Sequence, residues 1–186
     1  MTSMGALWLA ILLSSVLVFL ASSVIHMASP WHKGDYPRYA REGDILDALR
    51  PLALPPGDYF MPRPSSMAEM KSPAFVETVN RGPVVLMTVF PNGIMPMGGI
   101  FVKWFVYLVV VSAIAACVAA TALPPSAPAG VVFRVVFATA FAAYALALWQ
   151  LSIWYRRSVS ITIKSTVDAV IYAAITGAVF VWLWPK

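Results

Sequence analysis

Hydrophobic and polar positions along this chain are segregated into long blocks. Between Ala6 and Ile25, Val106 and Thr121, Val135 and Tyr155, and Ala169 and Trp184 there is no Asp, Glu, Lys or Arg. With its flanks, each run approaches the ~20 residues that a helix needs to cross about 30 Å of hydrocarbon. The pattern predicts four transmembrane helices, over residues 5–27, 99–122, 131–155 and 163–184, in a single membrane domain of residues 1–186. The expected fold class is therefore an all-α integral membrane protein with a proline-rich extramembrane loop, residues 29–98, between helices 1 and 2. The first run reads as a retained helix and not a secretion signal, because Met1 to Ala10 carries no Lys or Arg and the apolar stretch outlasts a signal h-region.

The loop has a finer pattern. Pro30-Trp31-His32, Tyr36-Pro37, Pro55-Pro56-Gly57-Asp58-Tyr59 and Pro62-Arg63-Pro64 punctuate it with turns. Ile45, Leu46 and Leu49 predict a short amphipathic helix over Gly43 to Leu52, ended before Pro51. Ser66 and Glu69 have the spacing of a capping box, and Ser72-Pro73 opens another turn that Gly82 stops. Pro83 to Gly93 is apolar for too few residues to span a bilayer, which leaves a strand or an interfacial segment.

Composition and charge then place the chain. Hydrophobic residues make up 60% and charged residues 11%, with a mean hydropathy of +0.78. An average soluble domain carries about 25% charged residues. The net charge of +5 is read as topology and not as a nucleic-acid footprint, so no nucleic-acid partner is expected. Most basic residues lie between helices 1 and 2 or between helices 3 and 4, and only Arg134 and Lys186 lie near the other face. By the positive-inside rule both termini are periplasmic in a bacterial inner membrane. A single cysteine, Cys117, excludes an intrachain disulfide and reads as a small residue at a helix contact.

Candidate chemistry is sparse. No nucleophile elbow, zinc-protease motif or phosphate loop is present, so no catalytic residue is assigned and the chain is not expected to be an enzyme. His26 and His32, with Met27 beside the first, are the candidates for a metal or haem, but their spacing does not put both rings on one helix face and Pro30 intervenes. They are read as interfacial anchors beside Trp31, and no metal or cofactor is predicted apart from bound lipid. Asp168, about one turn inside the last helix, needs a partner, because an ionised carboxylate near hydrocarbon costs several kcal/mol. Lys164 stands four residues before it, with Arg156 and Arg157 nearby, so an ion pair is expected there and a proton relay is the alternative. Gln150, followed by Ser152, reads as an interhelical hydrogen-bond group, and Arg134 as a side chain that snorkels to phosphates.

The set Ile25-His26-Met27, Pro30-Trp31-His32-Lys33, Asp47-Ala48-Leu49-Arg50-Pro51, Pro55-Pro56-Gly57-Asp58-Tyr59 and Gly82-Pro83-Val84-Val85 resembles a group of small bacterial multi-pass membrane proteins. That resemblance implies the fold and brings no activity. The function expected is a non-catalytic accessory or assembly subunit of a larger inner-membrane complex, respiratory or photosynthetic, with other integral membrane subunits as partners. A small homo-oligomeric transporter or channel using Asp168 is the alternative, and a His/Met metal or haem protein the third.

Overall fold

The computed structural model describes residues 2–186. From the N-terminus its elements are α1 (Met4–Ala28), α2 (Glu42–Leu49), β1 (Gly57–Met61), α3 (Met67–Met70), α4 (Pro73–Arg81), β2 (Val85–Val89), α5 (Met97–Ala122), α6 (Ala129–Tyr155) and α7 (Val159–Leu183). The four long helices coincide with the charge-free runs and are apolar enough to cross a membrane. The chain is an all-α multi-pass membrane protein. Its helix ends lie within a few residues of those expected, the largest shift being α7, which starts at Val159 and not near residue 163.

Two compact units are present, one made of Met1–Pro37 with Pro96–Lys186, the other of Arg38–Met95. In the first, α1 packs on α5 and α7, and α6 packs on the same two helices, so the four form a closed ring. Small side chains make this possible: Ala115, Ala116, Ala119 and Ala140 have no exposed surface. Without a hydrophobic drive between helices in lipid, close backbone approach and interhelical hydrogen bonds supply the association. At Gly177, where α7 meets α6, an added Cβ would come within 2.9 Å of a ring carbon of Phe133. Ser14 of α1 and Ser112 of α5 share a hydrogen bond of 2.6 Å in the buried interior. Cys117 faces outward, contrary to the reading of it as a helix contact, because the alanines on either side of it occupy the buried stripe of α5.

One end of this bundle is tied off by backbone acceptors. The Thr2 amide donates to the carbonyls of Ala120 and Leu123, and the Trp184 indole donates to that of Pro124. Both chain ends therefore share a face with the short α5–α6 turn, as the charge pattern predicts.

Residues 38–95 form the second unit. α2 runs into a 3₁₀ turn, Arg50–Leu52, that takes in Pro51 at its start, where no amide donor is needed. β1 and β2 pair antiparallel, from Gly57 opposite Val89 to Met61 opposite Val85. β2 settles the open choice for Pro83–Gly93 as a strand, and β1 was not signalled. Ser66 Oγ accepts from the Glu69 amide at 3.1 Å, but the Glu69 carboxylate turns back one residue further, to the Ser65 amide and hydroxyl. Ser72 Oγ caps α4 by accepting from the Phe75 amide, and Gly82 ends it with a φ of 61°. No residue of 38–95 is fully buried.

Candidate functional site

α1 does not finish as a regular helix. Val24–Ala28 is a π-helical turn closed by the Ser29 amide donating to the Val24 carbonyl, a wide turn of the kind that recurs at functional sites. Ser29 Oγ donates to the Ile25 carbonyl at 2.6 Å and accepts from the Trp31 amide at 3.2 Å. Two tight turns follow, with the Lys33 amide on the Pro30 carbonyl and the Asp35 amide on that of His32. The proline that breaks the helix thus folds the next residues back, and Trp31, His32 and Asp35 meet α7.

There they build a buried ionic centre. His32 Nε2 is 2.8 Å from Asp168 Oδ2, and its Nδ1 is 2.6 Å from Asp35 Oδ2. The Trp31 indole donates to Asp168 Oδ1 at 3.1 Å, and Lys164 Nζ donates to Asp35 Oδ1 at 2.6 Å. Side-chain exposure is 4% for Asp168 and 7% for Asp35, so both carboxylates rely on these donors. The hydrogen bonds from Lys164 and then His32 hold the Asp35 carboxyl below the usual carboxylate range. Two carboxylates and one ammonium thus meet around the His32 ring.

This arrangement corrects the sequence reading of Asp168. Lys164 is four residues away on the same helix yet pairs with Asp35, while Asp168 takes its donors from the segment after α1, 136 and 137 positions earlier. Asp35 and Asp168 both need donors, and the ammonium goes to Asp35 while Trp31 and His32 serve Asp168. Asp168 is also deeper than one turn, since α7 begins at Val159. Arg156 ends α6 in a left-handed conformation, with φ 54°, and is exposed.

The histidines were not expected to come together, because they do not share a helix face. They do come together, across the turn and not along the helix: the rings of His26 and His32 stack with centroids 4.3 Å apart and planes 19° apart. With Asp168 they offer three ligand atoms, all within 4.8 Å of one another. The donor set suits a divalent metal. The ring orientation fits it poorly, since lone pairs in near-parallel rings run side by side and do not converge on one ion, and both nitrogens of His32 already face carboxylates. His32 hydrogen-bonds both carboxylates, whereas His26 Nε2 meets the Tyr172 hydroxyl at 3.4 Å. Met27, beside His26, is 68% exposed.

Below the centre lies a cavity of about 370 Å³ lined by His26, Asp168, Trp104, Tyr107, Tyr144 and Tyr172, among others. His26 and Trp104 also line a second cavity of about 220 Å³ with residues of α1 and α5. The Trp104 indole is held by donating to Ser22 Oγ at 2.9 Å, and the Tyr107 hydroxyl donates to the Ala143 carbonyl. Two other residues singled out by sequence stand apart from the site. Arg134 is exposed, its Nε donating to the Gly130 carbonyl one turn back. Gln150 is also exposed, and the interhelical bond expected of it is made by Ser152, whose hydroxyl lies 2.7 Å from that of Thr162.

Trp31 and Asp35 are the site residues that sequence reasoning left out of the chemistry. The signal was a Trp-His-Lys-Gly-Asp run within ten residues of the end of an apolar helix, a place where charge needs a partner.

Fold and site together define a four-span membrane protein with a buried His–Asp–Lys centre set over an aromatic cavity. Comparison with protein-family models, curated proteins and solved structures gives no match, so the functional reading rests on this geometry.

Proposed function

We propose that the chain is a small proton-coupled carrier of the bacterial inner membrane, with Asp168 and His32 as its protonatable pair. One observation carries this reading: Asp168 is hydrogen-bonded to a titratable ring and at the same time lines a cavity large enough for a small solute. A positively charged solute that enters beside Asp168 favours release of a proton from the His32–Asp168 pair, which is the coupling a carrier needs. Asp/Glu/His groups inside transmembrane segments mark such pathways. The positive-inside bias supports cytoplasmic placement of the centre, with both termini periplasmic.

The test is proton movement in pyranine-loaded liposomes containing the purified chain, driven by an imposed gradient of a monovalent cation, with sodium, potassium and tetramethylammonium tried in turn. Asp168→Asn should abolish it in protein that a melting curve in detergent shows to be folded. Undiminished proton movement in that variant would sink the proposal.

A second reading is supported by a separate observation. Residues 38–95 have regular elements but no fully buried side chain, and Phe60 and Leu86, paired across the strands, are each 50% exposed. A unit without its own core is better suited to a shared assembly, which favours an accessory subunit bound to other integral membrane subunits and lipid. Native-mass analysis in a mild detergent should then show a co-purifying partner; migration at the mass of this chain alone would remove the idea.

A further inference from the structure

The four aromatic rings of the larger cavity are arranged as walls. Trp104 and Tyr107 stack at 5.4 Å with planes 22° apart. Tyr107 meets Tyr144 at 6.0 Å and 67°, Tyr144 meets Tyr172 at 5.7 Å and 77°, and Tyr172 meets Trp104 at 6.4 Å and 64°. The contacts close into a cycle in which three of four neighbouring pairs stand at steep angles. Asp168 adds a carboxylate to the same cavity, and Leu148 and Ala169 complete an apolar lining.

From this we infer that the cavity binds a quaternary ammonium group, enclosed by Trp104, Tyr107, Tyr144 and Tyr172 and balanced by Asp168. Ring faces carry negative quadrupole charge, and an aromatic box is the recognised receptor for such cations. The hydrogen bonding of Asp168 narrows the choice further. Each of its oxygens already takes one hydrogen bond, from Trp31 and from His32, so a ligand with no N–H or O–H of its own meets the carboxylate without rearranging these bonds. A tetraalkylammonium has no N–H to satisfy and needs only the field of the carboxylate and the faces of the rings. A small inorganic cation would gain too little here to offset its lost hydration. The quaternary group can belong to a free solute or to a choline lipid headgroup, since the chemistry is shared.

The inference names the substrate class for the carrier reading and rests on that reading for transport, though not for binding. The test uses the full chain in phosphatidylglycerol nanodiscs, with binding of labelled choline measured by equilibrium dialysis. The comparison ligand is 3,3-dimethylbutan-1-ol, which has the shape of choline without its charge. Choline should bind at least about tenfold more tightly than this isostere. Tyr107→Leu should weaken choline binding by about tenfold, whereas Tyr107→Phe, which keeps the ring, should bind much as wild type does. Tyr107 is 39% exposed, so both variants are suited to folding, and a melting curve verifies it. Displacement of choline by added phosphatidylcholine assigns the headgroup as the source, and lack of displacement assigns the free solute. Equal binding of choline and the isostere, or no choline binding by folded wild-type protein, overturns the inference. Choline binding without proton movement would leave the cage standing and the carrier reading fallen, and proton movement without choline binding the reverse.

Discussion

His32 Nε2 lies 2.8 Å from Asp168 Oδ2, so a ring just beyond the first span closes on a carboxylate inside the last. Removing one member leaves the other buried without its partner, which costs more than the bond itself is worth. Asp168→Ala should therefore destabilise the protein by about 3–5 kcal/mol. Adding His32→Ala should cost far less than the sum of the two single changes. Thermal unfolding of the four proteins in detergent gives the cycle, and additive effects would show that the pair is not coupled.

Asp35 sets a pH dependence whose sign follows from its environment. Its folded-state carboxyl is held below the ordinary value by Lys164 and His32, so the contribution to stability is fully present above the unfolded value, about 3.9. That contribution is lost as pH falls below that value and through the lower folded one. The melting temperature should drop in this acid window, and it should drop less in Asp35→Asn and in Lys164→Met. An identical acid profile in Asp35→Asn would contradict the assignment.

Gly177 faces the Phe133 ring with no room for a methyl group. Gly177→Val should destabilise the bundle by about 1–3 kcal/mol through overpacking. Gly177→Ala should cost less, and pairing it with Phe133→Leu should recover much of the loss. Melting temperatures of the three variants test this, and a neutral Gly177→Val would mean that α6 and α7 have slack.

The Ser14–Ser112 hydrogen bond is a contrasting case. Ser14 also bonds to the carbonyls of Ala10 and Ile11 on its own helix, so it stays satisfied when Ser112 is removed. Ser112→Ala should cost only about 0.6 kcal/mol, the usual scale for a polar contact between membrane helices. A loss of several kcal/mol would show that this contact organises the α1–α5 interface.

The extent of the fold legible in sequence follows from how local each signal is. The spans were visible because hydrocarbon excludes charge over ~20 consecutive residues, and the caps at Ser66, Ser72 and Gly82 because each acts within one turn. β1 was hidden because Gly-Asp-Tyr-Phe-Met carries no alternation and becomes a strand only opposite β2. The ionic centre was hidden for a related reason. Its bonds between the segment after α1 and α7 join residues 129 to 137 positions apart, whereas the nearest visible partner of Asp168 was Lys164 on its own helix. The stacking of His26 on His32 depends on the π turn and the Pro30 reversal, neither of which helical spacing encodes.

The long separations within the centre bear on how the protein is made. Trp31, His32 and Asp35 leave the ribosome well over a hundred residues before Lys164 and Asp168, so the centre cannot exist until the last helix has entered the bilayer. Its assembly waits for α7, and a product truncated before α7 would present Asp35 and His32 with neither lysine nor second carboxylate to meet. Molecules that lack α7 thus leave the Asp35 carboxylate without its lysine at the membrane edge, a difference that quality-control proteases can act on.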